Sequence, residues 1–157
     1  MPAHGQRRFT TFPRAALSAA GDTAGMDAIS AIAASGLTTA ATRVQVSASN
    51  LANMDDAAPL PGSGVAGPKP FVPTRVQTIS LGAGGVQAQL SASQPGTSPA
   101  YRPDSPYADS HGMVAAPDVD PASELVSQAQ ALQQYRASGD LIAIDARMQK
   151  AALDLIS

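Results

Sequence analysis

The residue types that most often carry out catalysis are scarce in this chain and poorly placed for it. The 157 residues include two histidines, His4 and His111, and no cysteine. Thiol catalysis, disulfide bonds and a histidine-based metal cluster are therefore excluded. Asp109, Ser110 and His111 supply a carboxylate, a hydroxyl and an imidazole in a row. Neighbouring side chains rarely point at one another and a catalytic triad is defined by geometry, so we predict a turn there.

Two further motifs also lack what their chemistry would need. Asp55 and Asp56 do not show the alternating oxygen ligands of a calcium loop, so we expect them to cap a helix or solvate a loop. Residues 82–85 are rich in glycine, but they contain no lysine and precede a strand-like stretch rather than a helix, unlike a phosphate-binding loop. We expect no catalytic residue, no cofactor, no metal ion and no small-molecule substrate.

Composition narrows the class of partner. The net charge is −2, and the chain carries 13 glycines, 13 prolines and six aromatic residues. The basic cluster Arg7, Arg8 and Arg14 has no continuation and no interleaved aromatic residues, which argues against nucleic acid. No stretch approaches the roughly 20 apolar residues of a membrane span. Arg7 and Arg8 resemble a twin-arginine signal, but residues 15–20 are too short for a secretory apolar region. If the protein leaves the cytoplasm, we expect it to use another route.

The longest helical pattern covers residues 121–157. Asp120 can cap it, and Pro121 suits its first turn. Steps of three and four give an imperfect heptad row: Leu125, Gln128, Leu132, Tyr135, Gly139, Ile142, Ala146, Gln149, Leu153 and Ile156. A second row follows with Leu141, Ile144, Met148 and Leu155. At about 1.5 Å per residue this helix is roughly 50 Å long and needs an equally long partner.

A second helical pattern, residues 26–54, supplies that partner. Apolar residues recur in it at threes and fours, and between residues 28 and 52 Arg43 is the only charged residue. A helix with so little charge is covered on most sides, which one partner helix cannot do, so we expect self-association or docking into an assembly. Residues 1–25 show no sustained period, and we expect them to be disordered, or to precede a true start at Met26.

The middle of the chain, residues 55–120, is rich in glycine and proline and is predicted to be irregular. It contains two strand-like stretches, which give a small β-hairpin over about residues 72–90 with residues 82–85 as its loop. The predicted fold is therefore mainly α, with two long terminal helices in an antiparallel coiled-coil-like pair around an irregular middle that contains one hairpin.

Two sets of motifs flank the middle segment. The sequence Asn50-Leu51-Ala52-Asn53 closes the first helix, where asparagine side chains bond the local backbone. The chain leading into and along the second helix carries Pro106-Tyr107-Ala108-Asp109, Gly112, Val114, Pro117-Asp118-Val119-Asp120, Glu124-Leu125 and Tyr135. These motifs resemble those of the rod proteins of the bacterial flagellar basal body, and among them the short proximal rod proteins lettered C. The resemblance covers residues 26–157. It implies export through the flagellar type III apparatus without a cleaved signal peptide, and polymerisation in the periplasm as part of the tubular rod.

The residues and the resemblance lead to one hypothesis. The chain is a structural subunit of the flagellar basal-body rod that assembles through its terminal helices with copies of itself and other rod subunits, forming a helical tube that transmits torque for motility. The predicted assembly residues are Ile29, Ile32, Leu37, Val44, Asn50, Leu51, Asn53, Leu125, Leu132, Tyr135, Ile142, Leu153 and Ile156. The alternative is a secreted helical interaction or adaptor module outside any flagellum, which needs a charged outer face. An enzyme ranks third.

Overall fold

The computed structural model describes residues 14–155, with side chains described for residue 25 and for residues 27–155. Along the chain, four short strands lie between two long helices. In order, the elements are α1 (Arg14–Ala52), β1 (Thr74–Ser80), β2 (Val86–Ala92), β3 (Thr97–Tyr101), β4 (Met113–Pro117) and α2 (Pro121–Asp154). The predicted residues 1–13 and Ile156 lie outside the described part of the chain.

The two helices pack against each other in opposite directions, since the end of α1 bonds the start of α2 through Asn50 and Glu124. Helix α1 begins at Arg14, ahead of the predicted start at residue 26. Gly21 and Gly25 lie inside it, because a glycine costs a helix only about 1 kcal/mol and the neighbouring residues are rich in alanine.

Helix α2 begins with the cap that the sequence predicts. The Asp120 carboxylate accepts hydrogen bonds from the Ser123 hydroxyl (2.6 Å) and from the Ala122 backbone N–H (3.1 Å). These two bonds, the Ser123 bond first, lower the pKa of Asp120 below its ordinary value of 3.8. The negative charge therefore remains at the positive end of the helix dipole over a wide range of pH.

Strands β1 and β2 form an antiparallel hairpin that lies along α1. Its register runs from Thr74 opposite Ala92 to Ser80 opposite Val86. The Val86 N–H donates to the Ser35 hydroxyl (3.0 Å), which joins the start of β2 to α1. Further along α1, the Arg43 guanidinium donates to the Thr78 hydroxyl (2.8 Å) in β1.

The predicted fold class is wrong in its description of the middle segment, because a second antiparallel sheet forms there from β3 and β4. Proline in β3 concealed it from pattern analysis. Pro99 lies opposite Ala115, whose N–H and C=O are both bonded to Ala58 on the other side of β4 (2.8 and 3.0 Å). Pro99 therefore occupies a position of β3 where the sheet requires no N–H donor.

The residues between β3 and β4 form the turn predicted at Asp109. The Asp109 carboxylate accepts from the backbone N–H groups of Met113 (3.0 Å) and His111 (2.8 Å), and the Met113 bond is the larger cause of its lowered pKa. The carboxylate thus holds a loop closed. The neighbouring Arg102 guanidinium bridges to Asp55 after α1, with 3.5 Å between Nη2 and Oδ1.

Candidate assembly interface

The centre of the contact between α1 and α2 is made of small side chains. The small buried residues along it are Ala33, Gly36, Ala40 and Ser47 in α1 and Ala131 and Ser138 in α2, and the buried Asn50 and Asp145 lie at its two ends. At the closest approach, a Cβ added to Gly36 would lie 2.6 Å from the Ser138 hydroxyl oxygen. Small residues let the two backbones come close together, but they bury little apolar surface, so the hydrophobic stabilisation of this contact is modest.

A buried polar cluster fixes one end of the helix pair. The Asn50 side chain, which is 2% exposed, donates to Glu124 Oε1 (2.7 Å) and to the Thr74 carbonyl (2.8 Å), and accepts from the Thr74 N–H (3.0 Å). The Ser47 hydroxyl donates to Glu124 Oε2 (2.5 Å). Asn50 therefore joins the end of α1, the start of β1 and the start of α2 in one network.

A second carboxylate marks the other end of the helix pair. Asp145 is 2% exposed, and its Oδ2 accepts hydrogen bonds from the Ser30 hydroxyl and from the Gln149 amide (3.1 Å). Its Oδ1 is buried and has no hydrogen-bond partner among the described residues. A buried carboxylate with partial pairing adds little net stability, but it favours the one alignment of the helices that brings Ser30 to it.

The large apolar side chains of α2 lie outside this contact, on its two flanks. Each residue advances an α-helix by about 100°, so residues three and six before Ser138 lie on one flank and residues three and six after it lie on the other. We call the flank that contains Leu132 and Tyr135 face A; it also contains Leu125, Ile142 and Leu153. We call the flank that contains Leu141 and Ile144 face B; it also contains Val126 and Met148. The exposed fractions of Leu132 and Tyr135 are 46% and 47%, and those of Leu141 and Ile144 are 49% and 48%.

The two faces have different surroundings, because the hairpin lies on the side of face B. A cleft of about 340 Å³ separates β1 from α2 there, lined by Arg43, Thr74, Arg75, Ser123, Ser127 and Gln130. On α1, Leu37 and Val44 lie on the opposite side from the hairpin contacts of Thr39 and Arg43, and they extend face A. Between the faces, an outer strip of Ala129, Gln133, Arg136, Asp140 and Arg147 points away from α1.

The predicted assembly residues fall into three groups in this structure. Ile29, Ile32, Leu125, Leu132, Tyr135 and Leu153 are exposed. The half-buried ones are Leu37, Val44, Leu51, Asn53 and Ile142. Asn50 is buried inside the subunit, where its partners belong to the same chain. Their predicted role in contacts between subunits stays a prediction.

Pattern analysis missed the polar residues that join the helices, namely Ser30, Ser47, Glu124 and Asp145. Glu124 and Asp145 belong to a row at steps of seven that also contains Ala131 and Ser138. This row lies one residue before the apolar residues Leu125 and Leu132. Small and polar residues carry no weight in a search for apolar periodicity, so this row was hidden.

Residues 14–155 contain neither a metal-binding cluster nor a membrane-spanning helix. Within residues 14–155, no group of three or more histidine, aspartate or glutamate residues could hold a metal ion. Neither described helix has the length and apolar character needed to cross a membrane.

Comparison with known proteins shows the family to which the chain is similar. No family model matches the chain. Two curated relatives are named flagellar basal-body rod protein FlgC, one from Escherichia coli O6:H1 and one from Escherichia coli O157:H7. Each is 34% identical to this chain over 119 residues, which cover 71% of this chain and 83% of the relative. The chain therefore belongs to the FlgC family of flagellar basal-body rod proteins.

Proposed function

We propose that this chain is a structural, non-enzymatic subunit of the proximal flagellar rod. It packs side by side with copies of itself and with other rod subunits through its terminal helices, and the resulting tube transmits torque. It reaches the periplasm through the flagellar type III export apparatus. The family membership supports the place in the rod, and the distribution of apolar residues on the helices supports the mode of assembly.

The observation that carries the proposal is that the large apolar residues of α2 lie outside the helix contact, whereas small residues lie inside it. Small residues fill the contact within the subunit, whereas faces A and B leave nine large side chains with much of their surface in water or at the contact edges. Burying the exposed half of a leucine or isoleucine contributes roughly 1 kcal/mol. A neighbour that covers either face would therefore gain several kcal/mol of association free energy.

The difference between the two faces sets the type of assembly. A contact in which face A of one subunit covers face B of the next leaves a free face at each end, so further subunits can be added. Such a heterologous contact generates a ring or an open helical tube. An adaptor that functions alone would instead leave both apolar faces in water, which disfavours that alternative.

The experiment that tests this function replaces Leu132 with aspartate on face A, with Ala129→Asp on the outer strip as a matched control. Leu132 is already half exposed in the subunit, so Leu132→Asp should retain the helix content of the isolated protein. A carboxylate buried against a neighbour costs several kcal/mol. We expect the variant to be made and exported, absent from purified basal bodies, and non-motile, whereas Ala129→Asp is incorporated.

Fractionation of the same cells examines the export route. Wild-type and Leu132→Asp protein should both remain in the cytoplasm when the export apparatus is deleted. Normal amounts of Leu132→Asp in purified basal bodies would contradict assembly through face A. Release from the cytoplasm without the apparatus would contradict the export route.

A further inference from the structure

Gly139 has no role in packing within its own subunit. A Cβ added there would meet no atom within 4 Å outside the backbone of its own helix turn, whereas the same atom on Gly36 would meet Ser138 at 2.6 Å. A glycine in the interior of a helix is destabilising relative to alanine. The contact between α1 and α2 explains Gly36 but leaves the cost of Gly139 without compensation inside the subunit.

Gly139 lies in the middle of face A. Tyr135 precedes it by four residues and Ile142 follows it by three, so these side chains stand one turn away on each side along the same row. Since glycine has no side chain, the row contains a notch whose walls are Tyr135 and Ile142. A notch of this kind fits one large apolar side chain from a neighbouring molecule.

Two opposite charges border this region on the outer strip. Arg136 lies at the edge next to face A, and Asp140 lies at the edge next to face B. Neither forms an ion pair among the described residues. When face A of one copy meets face B of a parallel second copy, Arg136 of the first faces the edge that carries Asp140 of the second.

The register set by this charge pair identifies the residue that enters the notch. Gly139 lies three residues after Arg136, about 4.5 Å along the helix axis, and Ile144 lies four residues after Asp140, about 6 Å along it. If Arg136 and the second copy's Asp140 are level, Ile144 of that copy is within about 1.5 Å of the level of Gly139. Ile144 is 48% exposed in the free subunit.

We propose that the notch at Gly139 receives the Ile144 side chain of a second copy of this chain, and that Arg136 and Asp140 pair across the same contact. This inference rests on the proposed assembly and adds its register, a stagger of about four residues between parallel neighbours. A constant stagger turns a side-by-side contact into a helical array rather than a flat ring.

The test is Gly139→Ala, compared with Ala129→Leu on the outer strip. Alanine favours the helix, so the thermal midpoint of isolated Gly139→Ala protein should equal or exceed that of wild type. The added methyl group fills the notch, and incorporation into purified basal bodies should fall by about tenfold or more. Ala129→Leu adds more bulk outside the contact and should be incorporated normally.

A second pair of variants tests the charge pair. Arg136→Asp should reduce incorporation roughly fivefold, and Arg136→Asp with Asp140→Arg should restore it.

The outcomes separate this inference from the function on which it rests. If Gly139→Ala is incorporated like wild type while Leu132→Asp is absent, the notch is wrong and assembly through face A stands. If Leu132→Asp is also incorporated normally, the proposed assembly is wrong and the notch with it. If Ala129→Leu reduces incorporation as much as Gly139→Ala, bulk anywhere on α2 is harmful and the notch is again wrong.

Discussion

Two asparagines three residues apart close α1, and their environments differ completely. Asn50 is buried and bonds both backbone groups of Thr74 as well as Glu124. Asn53 is half-buried and donates to the Ser49 carbonyl within the same helix end (2.8 Å). Asn50 therefore organises the connection between three elements, whereas Asn53 terminates one helix.

This difference predicts unequal effects of two matched substitutions. Asn50→Ala leaves the Thr74 backbone groups and one Glu124 oxygen without their partner, and each unsatisfied buried group costs about 1–3 kcal/mol. We expect Asn50→Ala to lower the free energy of unfolding by roughly 2–4 kcal/mol in urea denaturation of the isolated chain. Asn53→Ala removes one bond at a helix end and should cost no more than about 1 kcal/mol. Equal losses would show that the network at Asn50 is not the stabilising feature.

At the scale of the elements, helix α2 is oriented by its small residues rather than by its large ones. The row that faces α1 contains Glu124, Ala131, Ser138 and Asp145, and the leucines one position later face outward. Close approach at Gly36 and Ser138 allows hydroxyl and amide groups to reach across the contact. The helix pair is therefore aligned by polar bonds at its two ends and by close contact at its centre.

Substitutions at Gly36 measure that close contact. Gly36→Ala brings a methyl group toward the Ser138 hydroxyl, which can rotate away, so we expect a change in unfolding free energy within about 1 kcal/mol. Gly36→Leu cannot be accommodated without separating the helices, and we expect a loss of about 1–3 kcal/mol or more by thermal denaturation. The control Ala41→Leu introduces the same side chain at an exposed position of α1 and should change stability by less than about 0.5 kcal/mol. A Gly36→Leu protein as stable as wild type would rule out the tight crossing.

The sequence predicts the helices and a hairpin position because these depend on local periodicity and turn residues. It does not predict which side of α2 faces α1, because a search for apolar periodicity assumes that large side chains are buried within the subunit. In the proposed assembly the largest side chains of α2 instead contact neighbouring subunits. Strands β3 and β4 were missed for a different reason, since Pro99 weakens the local strand signal and the pairing of Ala115 with Ala58 is long-range.

At the scale of the whole molecule, the hairpin makes the two sides of the helix pair unlike each other. Face A continues onto Leu37 and Val44 of α1, whereas face B borders the cleft beside β1, which contains Arg43 and Arg75. A two-fold contact would require one face to be complementary to itself. The two sides differ in both shape and charge, and the proposed assembly therefore joins unlike faces.

Cysteine cross-linking distinguishes these two types of contact, because the natural chain contains no cysteine. Leu132→Cys labels face A and Ile144→Cys labels face B. Within one subunit the two positions are about 18 Å apart along α2, whereas the proposed stagger of four residues leaves about 12 Å along the axis between neighbours. In basal bodies treated with a bismaleimide that reaches about 15 Å, between these two distances, the double variant should give a ladder of multimers, since each copy then reacts with a neighbour on both sides. Each single variant should remain monomeric, because face A meets only face B. Efficient dimers of Leu132→Cys alone would mean that face A meets itself, and a closed two-fold contact would then replace the open assembly.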